Sequence, residues 1–422
     1  MRVDGELRVP GDKSISHRAL MLAALGKGES RVCGLLCSAD VLSTAGVLRA
    51  LGATIPDVTP SEFSVRGVGL RGLRESRGDL DCGNSGTTAR LMSGVLAAIP
   101  FDSRVTGDAS LSKRPMRRVA KPLEAMGAKF DFSASARGDG LPMTVHGGLL
   151  RGVTWFSETA SAQVKSAILL AGVVADVPVE VHEPAATRDH SERMLRARGV
   201  DVRTEGTVVT LLPAGRLDAA DTSVPGDPSS AAFFAALAAM AREGTLSIGN
   251  VCVNPSRTGA FRVLADMGAL IAYEDAHDAG GEPVARLVVS PRLLRGVTIE
   301  PEIVPSLIDE LPMIACVAAR AEGETRVTGA AELRVKESDR IAVMVQNLKA
   351  VGADAEELPD GFVVRGSDRP YRGRIQTHGD HRIAMAFGVL GALDGNSIEV
   401  DDRDCVGVSY PGFWSDLARV TR

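Results

Sequence analysis

A leucine followed four residues later by a glycine recurs at nearly even spacing along the 422-residue chain. It occurs at five places, and its glycines are Gly52, Gly127, Gly199, Gly268 and Gly352, which lie 75, 72, 69 and 84 residues apart. A glycine just after the last apolar residue is typical of a helix that ends in a left-handed cap. Strand-like alternation follows at 128–132 and 200–203. The spacing therefore predicts an α/β chain of between five and six repeated units, with a last helix near 413–420.

A second repeat divides the chain into halves. The letters V-P-G-D at Val9–Asp12 return at Val224–Asp227, 215 positions later, and each copy opens an apolar helix. The first copy adds Lys13, His17 and Arg18, whereas the second adds Pro228 and small residues. We infer a duplicated scaffold with domains 13–225 and 1–12 plus 226–422, and a hinge near 12–14 and 225–227. The run Met1–Val9 is expected to supply the strand that is missing after the last helix.

Composition excludes several classes of function. The net charge is −5 and no basic tract stands out, which argues against general binding to nucleic acid or to an anionic membrane. The longest apolar run, Ala231–Ala241, is far shorter than the roughly 18 residues that a membrane helix needs. Because no leader-like segment precedes Val3, a cytoplasmic protein is expected. His378 and His381 lie three residues apart without a companion ligand motif, so no metal site is expected.

Four predicted helix starts combine a small polar cap with basic side chains. They are Lys13–Arg18, Asn84–Arg90, Lys336–Arg340 and Gly379–Arg382. A helix N-terminus already carries about half a positive charge, so added cations there are unfavourable unless an anion arrives. The pattern therefore predicts anion sites at these helix ends. For a single motif, an ordinary cap with a solvated cation remains an equal alternative.

Three arginines and one glycine complete the predicted anion site. Arg114 lies in a loop and is braced by Pro115, and Arg340 and Arg382 offer the same planar fork for phosphate or carboxylate. Gly86 would let a substrate approach backbone amides closely.

Two carboxylates could supply proton chemistry. Asp309 lies in an apolar stretch, where a charged side chain is costly without a partner. Glu337 is three residues before Arg340, within one helical turn. An acid and a base with cations nearby suit general acid–base catalysis, although Asp309 could equally be a cap or one half of an ion pair.

Seven motifs in order along residues 3–417 resemble the 5-enolpyruvylshikimate-3-phosphate (EPSP) synthase family. They are Gly11–Arg18, Asn84–Thr87, Ser110–Pro115, Ser161–Ser166, Ile308–Glu310, Arg334–Arg340 and Asp380–Met385. The resemblance implies an inside-out α/β barrel in two domains, each of three βαβαββ repeats, that closes on its substrates. It also implies a monomer that needs no metal or organic cofactor. The implied reaction transfers the enolpyruvyl group of phosphoenolpyruvate to the 5-hydroxyl of shikimate 3-phosphate and releases phosphate.

The resemblance also implies a role for individual residues. The implied shikimate 3-phosphate ligands are Lys13, Ser14, Arg18, Ser161, Ala162, Gln163, Arg188, Asp309 and Lys336. The implied phosphoenolpyruvate ligands are Lys13, Gly86, Arg114, Gln163, Glu337, Arg340 and Arg382. Asp309 would act as the base for the 5-hydroxyl, Glu337 or Lys13 would protonate the methylene carbon, and His381 would assist the charge of the intermediate.

The chain departs from the family pattern at two places. Ala162 stands where many relatives have a second serine, and Val408–Pro411 lacks a lysine that many relatives place on the phosphoenolpyruvate side. Gly86 usually accompanies glyphosate sensitivity, whereas the missing lysine acts in the opposite direction, so moderate sensitivity is expected.

Three alternatives remain at this point. The enolpyruvyl transferase that acts on UDP-N-acetylglucosamine usually has a cysteine where this chain has Ala109. RNA 3'-phosphate cyclases share the βαβαββ unit but need a nucleic-acid surface. A non-catalytic phosphate-binding relative is expected to have lost Asp309 or Glu337, and both are present.

Overall fold

The repeated glycines end helices, as predicted. The computed structural model describes residues 1–136, 138–213 and 215–421. All five glycines have left-handed backbone, with φ of 90° at Gly52, 115° at Gly127, 80° at Gly199, 112° at Gly268 and 94° at Gly352. Only glycine adopts this conformation without strain, so the local signal in the sequence located five helix ends correctly.

Within the described ranges the chain forms twelve α-helices of up to 14 residues. In chain order they are α1 Lys13–Leu25, α2 Ala39–Ala50, α3 Gly86–Ala97, α4 Arg117–Met126, α5 Ala162–Ala175, α6 His190–Arg196, α7 Pro228–Met240, α8 Gly259–Asp266, α9 Leu311–Ala318, α10 Arg340–Ala350, α11 His381–Ala392 and α12 Phe413–Val420. In the part of the chain that the structure describes, none of these helices is long and apolar enough to cross a membrane. The last helix lies at 413–420, where the repeat predicted it.

Strands alternate with the helices. They are β1 Gly5–Arg8, β2 Lys27–Cys33, β3 Phe63–Val68, β4 Leu80–Asp81, β5 Asp102–Thr106, β6 Lys129–Asp131, β7 Met143–His146, β8 Val153–Phe156, β9 Val179–His182, β10 Val202–Glu205, β11 Val208–Leu211, β12 Thr222–Ser223, β13 Leu246–Cys252, β14 Leu270–Ala279, β15 Glu282–Ser290, β16 Thr298–Ile299, β17 Glu324–Val327, β18 Asp354–Leu358, β19 Gly361–Arg365, β20 Arg372–Ile375 and β21 Ser397–Val400.

The strands assemble into small sheets, most of them mixed. Their orders are β12-β2-β3, β4-β5-β7-β6, β8-β9-β11-β10, β1-β13-β15-β14, β16-β17-β19-β18 and β20-β21. In each sheet the first two strands are parallel, as in the register Leu80↔Val105. In the larger sheets an antiparallel strand follows, as in Ser103↔Val145. The chain is thus a mixed α/β protein in which one strand–helix pattern recurs.

The chain divides into two compact units. One comprises Gly11–Val224 with Ala279–Glu282, and the other comprises Met1–Pro10, Pro225–Asp278 and Pro283–Arg422. The sequence division placed 279–282 in the other half. Arg193 Nη1 donates a 2.9 Å hydrogen bond to Gly281 O, which ties this short turn to the first unit.

The N-terminal run folds back beside the C-terminal half, as the sequence predicted, but its main strand partner differs from the expected one. We expected Met1–Val9 to follow the last helix as a missing strand, but β1 pairs in parallel with β13, in the register Leu7↔Ile248. The link to the chain end is a single antiparallel bridge between Val3 and Thr421. In the other unit β12 takes the matching place beside β2, with Thr222 opposite Val32. In each unit, therefore, the edge strand of one sheet is distant in sequence from the strand it pairs with: β1 beside β13, and β12 beside β2.

The duplicated V-P-G-D motif opens two helices of equal length. α1 and α7 both have 13 residues, and an aspartate caps each of them, Asp12 for α1 and Asp227 for α7. Both helices are apolar nearly all round and nearly fully buried, as expected of core helices. The motif therefore sets the position of a central helix in each unit, and any charged side chain on it must be buried or lie near its start.

Candidate active site

The start of α1 places Lys13 and Ser14 beside a buried carboxylate. Asp12 accepts a hydrogen bond from Ile15 N at 2.8 Å. Lys13 Nζ lies 3.1 Å from Asp40 Oδ2, and Asp40 is on α2. Sequence reasoning missed Asp40 because 27 residues separate the partners. The pairing holds the ammonium near the N-terminus of α1.

The caps of the four basic helix starts differ from the expectation. Small polar caps were predicted, but three of the four are aspartates, Asp12, Asp339 and Asp380, and only α3 has a serine, Ser85. A carboxylate at the cap already offsets the positive end of the helix. The prediction of anion sites at α1, α10 and α11 therefore rests on the Lys and Arg side chains more than on the helix ends.

Arg18 is held on three sides. Its Nε donates to Ser191 Oγ at 2.7 Å, its Nη2 donates to Ser166 Oγ at 2.7 Å, and its Nη1 donates to Ser14 O at 2.9 Å. Burial lowers the pKa of Arg18 to about 10, although Glu192 acts to raise it. The side chain stays charged at neutral pH with a fixed orientation.

Two guanidinium groups converge on Gly86, the first residue of α3. A Cβ placed on Gly86 would lie 3.2 Å from Arg90 Nη1 and 3.5 Å from Arg114 Nη1. Arg114 follows a short 3-10 helix, Leu111–Lys113, and its Nη2 donates to Asn84 Oδ1 at 2.6 Å. The absence of a side chain at Gly86 keeps open the space in front of both cations, which suits a small anion.

Gln163 connects α3 to α5. Its Oε1 accepts a 2.7 Å hydrogen bond from Arg90 Nη1, and its Nε2 donates to Thr87 Oγ1 at 3.1 Å. Ser161 caps α5 by accepting from Val164 N, and Ala162 is the first residue of that helix. The structure therefore brings Ser161, Ala162 and Gln163 to one helix start, and sequence reasoning missed the role of Arg90 in fixing Gln163.

Arg188 lies in the segment between β9 and α6, and its side chain is half-buried. It follows Thr187, whose Oγ1 donates to Glu183 Oε1 at 2.5 Å. Arg188 therefore directly follows a residue whose hydrogen bond to Glu183 fixes the loop.

In the other unit, one guanidinium binds three carboxylates. Arg340 Nε lies 2.8 Å from Asp380 Oδ2, its Nη1 lies 3.3 Å from Asp309 Oδ1, and its Nη2 lies 2.5 Å from Glu337 Oε2. Burial alone would lower the pKa of Arg340, but Asp380, Glu337 and Asp309 together raise it. Asp309 and Glu337 keep 13% and 27% of their side chains exposed, whereas Asp380 is fully buried. The two carboxylates with predicted roles are thus held by one cation and remain open to solvent.

Lys336 and Glu337 precede α10 and do not lie on it. The sequence placed Glu337 on one helical turn with Arg340, but α10 begins at Arg340 after the cap Asp339. The contact expected between Glu337 and Arg340 forms from a bend in the chain. Lys336 Nζ lies 3.4 Å from Asp309 Oδ1. Asp309 therefore forms ion pairs with two cations, Lys336 and Arg340.

Arg382 and His381 begin α11. Arg382 Nη1 donates to Asp309 O at 3.0 Å and lies 3.5 Å from Glu310 Oε1. The ring of His381 is buried, with 2% of the residue exposed. Both side chains belong to the segment that Asp380 caps.

Sequence reasoning missed a buried network behind Arg382. Ser229 Oγ donates to Glu310 Oε1, and Arg257 Nη2 lies 3.0 Å from Ser229 Oγ and 3.1 Å from Asp227 Oδ1. Asp227 and Ser229 belong to the uncharged copy of the V-P-G-D motif. The sequence contained a signal, since a small hydroxyl residue just after a capping aspartate can reach a neighbouring segment. That copy therefore braces Glu310, which in turn pairs with Arg382.

The described side chains offer no group of three or more His, Cys, Asp or Glu residues that could hold a metal ion. The polar groups at both predicted sites are instead paired cations and carboxylates. Together with the mixed α/β sheets, they are typical of the class of enzymes that act on small anionic substrates.

The family follows from the sequence match. Residues 1–417 match the family model described as EPSP synthase (3-phosphoshikimate 1-carboxyvinyltransferase). The chain belongs to this family.

Individual relatives agree with the family match. The chain is 48% identical to a 3-phosphoshikimate 1-carboxyvinyltransferase of Sulfurihydrogenibium sp. (strain YO3AOP1), a match covering 100% of this chain and 98% of the relative. It is 50% identical to the protein of the same name from Alkalilimnicola ehrlichii, over 97% of this chain and 91% of the relative. A solved structure of EPSP synthase from Acinetobacter baumannii is similar with a TM-score of 0.88 and 44% identity, over 100% of this chain and 96% of that one.

Proposed function

We propose that this chain transfers the enolpyruvyl group of phosphoenolpyruvate to the 5-hydroxyl of shikimate 3-phosphate. The products are 5-enolpyruvylshikimate 3-phosphate and inorganic phosphate. Membership of the EPSP synthase family over residues 1–417 supports the reaction. The observation that carries the mechanism is that Arg340 holds Asp309 and Glu337 on separate nitrogens of one guanidinium.

The reaction proceeds by addition and elimination. Asp309 takes the proton of the 5-hydroxyl as that oxygen bonds to C2 of phosphoenolpyruvate. A proton from Glu337 or Lys13 reaches the C3 methylene, which becomes a methyl group in a tetrahedral intermediate. One methyl proton then returns to the group that donated it, and the bond from C2 to the phosphate oxygen breaks, which restores the double bond and releases phosphate.

The ion pairs of Arg340 support separate roles for Asp309 and Glu337. A neighbouring cation favours the ionised form of a carboxylate, which suits Asp309 as the base, whereas Glu337 must first take up a proton before it can donate one to the methylene carbon. Asp309 lies 3.4 Å from Lys336 in addition to its contact with Arg340, and Glu337 lies 2.5 Å from Arg340. Two acids in different charge environments suit opposite roles. His381, next to the capping Asp380, is assigned to assist the charge of the intermediate.

The cations bind the two anionic substrates. In the unit that contains α1 we assign Lys13, Ser14, Arg18, Ser161, Ala162, Gln163 and Arg188 to shikimate 3-phosphate, and Lys13, Gly86, Arg114 and Gln163 to phosphoenolpyruvate. In the other unit we assign Asp309 and Lys336 to shikimate 3-phosphate, and Glu337, Arg340 and Arg382 to phosphoenolpyruvate. Fixed cations offset the mutual repulsion of two anions and hold them for reaction.

The finer architecture is part of the same proposal. We assign domains 13–225 and 1–12 plus 226–422, each with three βαβαββ repeats in an inside-out barrel, and a hinge near 12–14 and 225–227. The recurring sheet pattern supports the repeats. We further propose a cytoplasmic monomer that acts without metal or organic cofactor, and light scattering during gel filtration tests the monomer.

Release of phosphate with two alternative acceptors tests the function. The chain is mixed with phosphoenolpyruvate and either shikimate 3-phosphate or UDP-N-acetylglucosamine. We expect release with the first acceptor only. Release with the UDP-sugar alone would assign the chain to the sister reaction, and release with neither would favour a phosphate-binding relative without catalysis.

A further inference from the structure

A group of buried charges lies behind Arg18, and the mechanism gives it no role. Lys165 on α5 has its Nζ 2.7 Å from Glu183 Oε2 and 2.7 Å from Glu192 Oε1. The three side chains are 2%, 3% and 0% exposed, respectively. Burial of charged groups is costly, and a buried ion pair often contributes little net stability. The ion pairs of Lys165 with Glu183 and Glu192 are therefore expected to have a role other than stabilising the fold.

The ion pair runs alongside the hydroxyl groups that hold Arg18. Lys165 precedes Ser166 on α5, and Glu192 follows Ser191 on α6. Ser191 Oγ donates to Ser166 Oγ at 2.8 Å, and both oxygens accept hydrogen bonds from Arg18. Two adjacent bridges thus join α5 to α6, one ionic and one between hydroxyls. The ionic bridge fixes how the two helices meet, and so fixes the hydroxyl pair.

The same ammonium also holds the loop of Arg188. Glu183 accepts a hydrogen bond from Thr187 Oγ1 at its second oxygen, Oε1, while Oε2 binds Lys165. Arg188 is the next residue. The Lys165 side chain therefore connects the residues next to Arg18 with those next to Arg188. The proposed function assigns both arginines to shikimate 3-phosphate.

The charges of the group balance when Arg18 is included. Lys165 and Arg18 are the cations, and Glu183 and Glu192 are the carboxylates. Burial alone would lower the pKa of Lys165, but Glu192 and Glu183 raise it above its ordinary value. Glu192 is also the neighbouring charge that acts most strongly to raise the pKa of Arg18. The ammonium thus stays charged, and Glu192 favours the charged form of Arg18.

We propose that Lys165 and Glu192 are positioning residues for the shikimate 3-phosphate side of the site. They hold Ser166, Ser191 and Thr187 so that Arg18 and Arg188 face the substrate in one geometry. At 2% and 0% exposure they act through those residues and without touching substrate. The identity of the ligand rests on the proposed function.

The test uses Glu192→Gln, Lys165→Met and a matched control. Glu192→Gln keeps the size of the side chain and leaves Lys165 paired with Glu183, so the fold should survive. Lys121→Met is the control, because Lys121 pairs with Glu158 at 3.5 Å on the surface of the same unit, with 51% of its side chain exposed. Thermal unfolding, the KM for each substrate and calorimetric binding of shikimate 3-phosphate are measured for each protein.

We expect Glu192→Gln to raise the KM and Kd for shikimate 3-phosphate by about tenfold or more, because small misplacement of a binding group has large effects. The KM for phosphoenolpyruvate should stay within about twofold of the wild-type value. The lost interactions position Arg18 and Arg188, which are assigned to shikimate 3-phosphate. Lys165→Met should have the same selective effect or a larger one. Lys121→Met should change neither constant.

Combining Lys165→Met with Glu192→Gln should add less than the sum of the single effects, because both remove one bridge. Folded Glu192→Gln protein with an unchanged Kd for shikimate 3-phosphate would overturn the proposal. An equal rise of both KM values would indicate a merely structural role and overturn it too. Wild-type protein that releases no phosphate with shikimate 3-phosphate would instead contradict the proposed function, which separates the two failures.

Discussion

Arg340 Nε lies 2.8 Å from Asp380 Oδ2, and the two side chains are 1% and 0% exposed. Asp380 also caps α11 through Arg382 N at 3.0 Å and accepts a 3.0 Å hydrogen bond from Ser338 Oγ. Burial alone would raise the pKa of Asp380, but Arg340 lowers it below its ordinary value. One carboxylate therefore orders the segments that carry Glu337, Arg340 and Arg382.

The variant Asp380→Asn should be strongly destabilised. It leaves a buried guanidinium without its fully buried partner, and breaking such a pair costs about 3 kcal/mol or more. Urea denaturation measures the loss, and activity should fall with it. Asp339→Asn is the control, since Asp339 also caps a helix and pairs with Arg334 at 2.8 Å but is 39% exposed. It should cost about 1 kcal/mol or less, and equal losses in both variants would contradict the role of Asp380.

The variant Gly86→Ala should weaken phosphoenolpyruvate binding. Its Cβ would lie 3.2 Å from Arg90 Nη1 and 3.5 Å from Arg114 Nη1, so at least one guanidinium must shift. The KM for phosphoenolpyruvate should rise several-fold, and inhibition by glyphosate should weaken in parallel if glyphosate takes the same place. Gly46→Ala is the matched control, because Gly46 is a helical glycine on α2 with nothing within 4 Å of an added Cβ. An unchanged KM in Gly86→Ala would contradict the assignment of Gly86.

Local signals in the sequence located the helices better than the site. The five capping glycines and the last helix were predictable because a helix end depends on a few adjacent residues. Asp12 and Asp380 directly precede their helices, so their capping role could also have been found from the preference for aspartate at that position.

Long-range partners could not be found in this way. Asp40 is 27 residues from Lys13, Gln163 is 73 residues from Arg90, and Glu310 is 81 residues from Ser229. Only the tertiary packing of separate elements brings these pairs together. For the same reason the sequence assigned Met1–Val9 to the C-terminal half but did not identify β13 as the partner of β1.

His17 should make stability fall more steeply in acid. Its ring is fully buried with Nδ1 2.6 Å from Thr44 Oγ1, and burial lowers its pKa from 6.5 to about 3. Between these values the unfolded chain binds a proton that the folded chain does not, so stability is present above 6.5 and is lost as the pH falls.

Comparison with His17→Asn isolates this effect, because asparagine does not titrate. Between about pH 7 and about pH 5.5, wild type should lose about 1 kcal/mol more stability in urea than the variant. All other groups titrate in both proteins and cancel in the difference. Parallel pH profiles would mean that folding does not lower the pKa of His17, which would contradict the prediction.

The proton donor to the methylene carbon can be assigned with two variants. In deuterated water, wild type should place deuterium at the C3 methylene of phosphoenolpyruvate by reversible addition. Glu337→Gln should abolish the exchange if Glu337 is the donor, while Lys13→Met should weaken binding and keep exchange at saturating substrate. Mass spectrometry of recovered phosphoenolpyruvate measures this, and the reverse pattern would assign the proton to Lys13.

The phosphorus NMR spectrum of a reacting mixture tests the central claim most directly. With phosphoenolpyruvate and shikimate 3-phosphate present in equal amounts, the enol phosphate signal should decline as inorganic phosphate appears in equal quantity, while the 3-phosphate ester persists with a shifted resonance. An unchanged spectrum with folded protein, or consumption of phosphoenolpyruvate only when UDP-N-acetylglucosamine replaces shikimate 3-phosphate, would contradict the claim.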